Sequence, residues 1–150
     1  MNVTAAVRID RIEYQGWPNC YRVSNGLVEA VVTGDVGPRV IRYGFTGGQN
    51  LFKEFAGQMG KSGEPGWLPR GGHRIWVAPE DPVNTYAPDN VAVEIRCCEG
   101  GVDAVAPPEY LTGLVKEISL RMAPEGTAVE VRHRIRNVAT EGRRIAQVGS

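Results

Sequence analysis

The chain has too little cysteine, too little histidine and too even a charge balance for several large classes of function. Cys20, Cys97 and Cys98 are odd in number, include an adjacent pair and show no Cys-x-x-Cys spacing, so they make neither a disulfide framework nor a zinc site. A reducing, cytoplasmic setting follows as the expectation. Along a strand, Cys97 and Cys98 would point to opposite faces, one as a small core hydrophobe and the other partly exposed. The two histidines, His73 and His133, lie far apart among scattered acids, so neither a metal nor a cofactor is expected. Lys plus Arg equals Asp plus Glu at 17 each, without a basic run, which excludes the electrostatic footprint of a nucleic-acid binder. No apolar run approaches the roughly 18 residues a bilayer span requires, and residues 1–8 carry neither a basic leader nor a long apolar stretch. No membrane partner is expected.

Long helical stripes are missing too. With 19 glycines and 10 prolines as punctuation, period-two alternation recurs instead, and the class reads as all-β. Tyr21 to Gly26 is a strand entering an Asn-Gly turn, and Leu27 to Thr33 is its return. Gly34-Asp35-Val36-Gly37-Pro38 is a second turn, after which Arg39 to Phe45 continues the meander. Three more strands follow at Val91–Cys97, Leu114–Met122 and Thr127–Val138, the last two joined by Ala123-Pro124-Glu125-Gly126. Their apolar sides nominate Val23, Val31, Ile41, Val93, Ile95, Ile118, Val129 and Val131 for the core. His133 falls on the apolar side of its strand, where a half-buried, hydrogen-bonded histidine is the simplest role. At 150 residues, the chain is read as one domain spanning 1–150.

One long stretch, about Gly57 to Asn90, fits neither strand nor helix, and such stretches in compact domains serve function or are disordered. Within it, Arg70 to Pro82 and then Thr85 to Asn90 crowd together His73, Arg74, Trp76, Glu80, Asp81, Tyr86, Asp89 and Asn90. Flat apolar rings beside directional donors and acceptors suit a sugar, which offers an apolar ring face and a rim of hydroxyls. A structural loop whose tryptophan plugs the core is the competing reading, and Asp89-Asn90 serves equally as a ligand clamp or as turn chemistry. Arg39 is either within reach of the pocket or a solvated charge at a strand start. Trp17 and Trp67 flank turns and are read as caps on the core.

Taken in order, the strand Tyr21-Arg22-Val23-Ser24-Asn25-Gly26, the strands bracketing Gly37-Pro38-Arg39-Val40, the segment Gly47-Gly48-Gln49-Asn50-Leu51-Phe52 and then Arg70-Gly71-Gly72-His73-Arg74-Ile75-Trp76 resemble the galactose mutarotase-like superfamily, which includes aldose 1-epimerases and hexose-6-phosphate epimerases. The likeness covers about residues 15 to 140. It implies an antiparallel β-sandwich, present here as the N-terminal half of a longer domain, that binds a hexose on a concave face. It also implies interconversion of anomers by a histidine acid and a glutamate base. The family's histidine strand and late glutamate fall beyond Ser150, so His73 is the weak remaining catalytic candidate and the chain is expected to be catalytically incomplete.

Three functions follow as expectations. The first is aldose binding by an epimerase-like protein that would act as a mutarotase only when completed by a C-terminal half. The second is a non-catalytic carbohydrate-binding or sensing module using Trp76 and Tyr86 as platforms and Arg74 with Asp89 as clamps. The third is a structural sandwich that forms a homodimer through open sheet edges.

Overall fold

The computed structural model of the chain describes residues 6–140, 142 and 145–149. The alternation becomes ten strands: β1 (Arg8–Tyr14), β2 (Trp17–Ser24), β3 (Val28–Thr33), β4 (Arg39–Phe45), β5 (His73–Ala78), β6 (Glu94–Cys98), β7 (Gly101–Val105), β8 (Leu114–Met122), β9 (Val129–Asn137) and β10 (Ala146–Gly149). They form two antiparallel sheets. One has the order β1-β2-β3-β4-β5-β10 and the other β6-β7-β8-β9. The architecture is the expected all-β sandwich.

The main core lies between the sheets. Val23, Val28, Ala30, Val32, Val40 and Ile75 of the larger sheet meet Val102, Ala104, Ile118, Leu120 and Met122 of the smaller. A second core forms on the other face of the larger sheet, where Trp17, Cys20, Val31, Val36 and Ile41 are covered by Ile12, Tyr14 and Met59. Trp17 caps it as expected, and its indole N–H donates to the Lys61 carbonyl at 3.0 Å. β3 and β4 are therefore buried on both faces. Of the expected core, Val23, Val31, Ile41 and Ile118 are fully buried, whereas Val93, Ile95, Val129 and Val131 pack half-buried against it near the edges of the smaller sheet.

Several elements differ from the sequence reading. β1, the first half of β2, β7 and β10 were not anticipated, and β6 begins at Glu94, later than Val91. β1 reads Arg-Ile-Asp-Arg-Ile-Glu-Tyr, in which the isoleucines stand three apart, and its pairing with β2 shifts register between Ile12 and Tyr14. A bulged strand loses the period-two signature. β7 opens directly on the Gly100 turn, so Gly100 and Gly101 read as punctuation. Cys97 is exposed and Cys98 half-buried, so neither is the core hydrophobe; that role falls to Cys20. The largest difference is β5, a regular strand inside the segment read as irregular.

Candidate functional site

Arg70-Gly71-Gly72 is a backbone crossing point. Arg70 takes the left-handed conformation (φ 52°) that is strained for a residue with a Cβ. Its guanidinium is fully buried and over-determines that geometry, donating to the carbonyls of Gln58 at 3.1 Å and Lys61 at 2.9 Å and pairing with the Glu64 carboxylate. Gly71 and Gly72 both have positive φ, and a Cβ on them would lie 1.8 Å from the Lys53 carbonyl oxygen and 2.5 Å from that of Val40. Only glycine lets the three backbones approach this closely.

β5 starts immediately afterwards, and its alternation divides the candidate residues. His73, Ile75 and Val77 turn inward; Arg74 and Trp76 turn outward. The sequence reading gathered His73, Arg74 and Trp76 into one pocket because it took this stretch as irregular; a strand sends neighbours to opposite faces.

On the outer face, the Arg74 guanidinium carbon lies 4.7 Å from the centre of the Trp67 ring and 5.6 Å from that of Trp76. Tyr86 meets Trp67 edge to face at 5.1 Å, and its hydroxyl donates to the exposed Glu80 carboxylate. Burial pulls the Arg74 pKa below the ordinary arginine value, with the Asp89 charge opposing. Bonding to Glu80 raises that of Tyr86. Among the described residues no acceptor is hydrogen-bonded to Arg74, and the indole N–H groups of Trp67 and Trp76 are buried without partners. Trp67 was misread as a core cap. Its sole trace in the sequence is an aromatic residue stranded in a Gly/Pro-rich stretch.

Other candidates hold the structure together. Arg39, read as a pocket residue or a solvated charge, is fully buried. It donates to the Pro69 carbonyl at 2.9 Å and to that of Gly71, and reaches Asp89 Oδ2 at 2.7 Å. Burial lowers its pKa while Asp89 counteracts. Asn90 donates to the Glu64 carbonyl. Asp81 Oδ1 accepts from the backbone N–H of Val83 at 2.8 Å and of Asn84 at 2.7 Å, which is turn chemistry.

On the inner side, His73 meets His133 across the sandwich with the Nε2 atoms 2.7 Å apart. One imidazole donates and the other accepts. The His73 ring also stacks on Phe52 at 6.4 Å, and burial lowers the His133 pKa below its usual value. His133 is thus the half-buried, hydrogen-bonded histidine anticipated for it. Gly149 of β10 passes over the pair so closely that a Cβ there would lie 2.5 Å from His133 Cε1. Among the described residues, no group of three or more potential ligands is placed to hold a metal ion. Among the described residues, no helix is long and apolar enough to cross a membrane.

No known protein-family model, curated protein or solved structure matches the chain.

Proposed function

We propose that the chain binds an aldose on the outer face of β5, through Arg74 and the aromatic residues around it. The observation that carries this reading is the Arg74 guanidinium, stacked between two indoles with no hydrogen-bonded acceptor among the described residues. Unfilled donors beside apolar ring faces match what a sugar presents, with Tyr86 and Glu80 as a polar rim. The order of motifs that resembles the galactose mutarotase-like superfamily supports the same reading. Anomer interconversion is not part of it: the only histidines are bonded to each other on the inner side, away from Arg74. Each sugar hydroxyl contributes modest net energy, so affinity for a monosaccharide is on the order of millimolar.

Titrating a panel of aldoses while following amide shifts of residues 67–90 tests the proposal. Saturable shifts that disappear in Arg74→Ala are expected. Silence across the panel, or unchanged shifts in the variant, overturns it. Polarimetry on freshly dissolved glucose should show equilibration no faster than in buffer.

One observation favours a second reading, assembly of two copies through open edges. Among the described residues β9 forms a ladder with β8 alone, leaving an edge on which the His133 carbonyl accepts from the Gln147 side chain at 3.3 Å. Sedimentation velocity at rising concentration separates the readings, since edge pairing demands a concentration-dependent dimer.

A further inference from the structure

A cleft of about 420 Å³ lies where the Gly37-Pro38 turn, residues 87–91 and the loop joining β7 to β8 meet. From residues 67–90 it takes Ile75, Ala87, Pro88, Asp89 and Asn90, and none of Trp67, Arg74, Trp76 or Tyr86. Ile75, Ala87, Ala106, Pro107, Pro108 and Leu111 make its surface predominantly apolar. Its size is that of a small-molecule pocket.

One inward position of β8 breaks the pattern. Leu114, Ile118, Leu120 and Met122 point into the sandwich, and the same face carries Lys116, a residue only 3% exposed. Lys116 Nζ lies 2.6 Å from Glu109 Oε1, and the other Glu109 oxygen accepts from the Thr112 hydroxyl at 2.5 Å. Glu109 is further fixed by its backbone N–H, which donates to the Leu114 carbonyl at 2.9 Å. An ammonium group has three donors, and among the described residues Glu109 is its one acceptor. A buried ion pair rarely stabilises a fold more than apolar residues of the same volume would. Its presence at the wall of an apolar cleft, with donors left over, points to recognition.

We propose that this cleft binds an uncharged amphiphile, its apolar body against the proline and alanine walls and a carbonyl or hydroxyl oxygen accepting from Lys116. Charge balance sets the class. The cleft holds two carboxylates, Glu109 and Asp89, already neutralised by Lys116 and Arg39. An anionic head would approach both carboxylates, and a cationic head would approach the Lys116 ammonium in the cleft wall, with the Arg39 charge behind Asp89. An uncharged oxygen meets only the spare donors.

The probe is prodan, an uncharged aromatic ketone whose emission shifts to the blue in apolar surroundings. A saturable blue shift at one site per chain is expected, with affinity at least about tenfold above that of the anionic 1-anilinonaphthalene-8-sulfonate. Exchanging the pair together, Lys116→Met with Glu109→Met, leaves no unpaired buried charge and should weaken prodan about 10- to 100-fold, the range for a hydrogen bond from a charged donor. Ala106→Leu fills the cleft while leaving both charges in place, and should abolish the saturable signal while the thermal transition persists. Absence of saturable prodan binding, equal or tighter binding of the sulfonate, or full affinity in both variants overturns the proposal.

Discussion

Arg39 and Arg74 stand in register on neighbouring strands, β4 and β5, as directly paired residues. Their surroundings differ completely. Arg39 spends its guanidinium on two carbonyls and the Asp89 carboxylate, leaving only Nε unpaired. Among the described residues, Arg74 faces two indole rings and no hydrogen-bonded acceptor. A single residue type in one ladder therefore sits in two settings: the first arginine fastens the 69–71 and 89 segments to the sheet, and the second, under the sugar-binding proposal, keeps its donors for a ligand. The difference arises from what the surrounding loops deliver, carbonyls in one case and aromatic faces in the other.

That contrast is best broken at its strong end. Arg39→Met should destabilise the fold by about 3–5 kcal/mol, because it strips the largely covered Asp89 carboxylate and the Pro69 and Gly71 carbonyls of their donor. Urea denaturation measures this, and a loss below about 1 kcal/mol would remove the fastening role. Ile118→Ala, deep between the sheets, sets the scale of an ordinary core truncation at about 2–5 kcal/mol by the same method. The third effect is a dependence on pH. Burial holds the His133 pKa below the 6.5 of an unfolded chain, so its contribution is intact above that value. As pH falls through 6.5 toward the folded value, the unfolded chain takes up the proton first and stability declines. His133→Phe should flatten this part of the stability profile, and an unchanged slope would locate the dependence elsewhere. The smallest effect on stability belongs to Arg74→Ala, about 1–2 kcal/mol, because it removes two cation–π contacts but breaks no buried ion pair. Aldose binding should be lost in the same variant. If Arg74→Ala costs as much as Arg39→Met, the two arginines share one structural task and the sugar reading fails.

How much of this was legible in the sequence depended on how many faces of each element are buried. Arg39–Phe45 and Leu114–Met122 were read with their observed bounds, and the Asn25-Gly26 turn was found, because turn residues and β-branched runs are local signals. β5 was hidden. His73, Ile75 and Val77 face the sandwich, while Arg74 and Trp76 lie among Trp67 and Tyr86, so neither side shows the polar stripe of a solvent-facing strand. The candidate residues were gathered onto one face, because their chemistry was read without the strand that separates them. The burial of Arg39 and Arg70 left no trace in the sequence at all. Their acceptors come from residues 58, 61, 64, 69, 71 and 89, and only the folded chain assembles such a set.

The order of strands in the larger sheet also fixes an order of events during synthesis. β1 to β4 pair with their immediate neighbours and can close as a meander while the rest of the chain is still emerging from the ribosome. β5 is different, because its outer edge pairs with β10, matching Ala78 to Ala146 and Ile75 to Gly149. Until that distant segment arrives, β5 presents a bare edge, and the histidine pair lacks the glycine backbone that passes over it. The whole smaller sheet is translated in this interval. The nascent chain thus carries its most exposed edge beside its candidate sugar site, and this late, long-range pairing is where a slow step and capture by chaperones are to be sought.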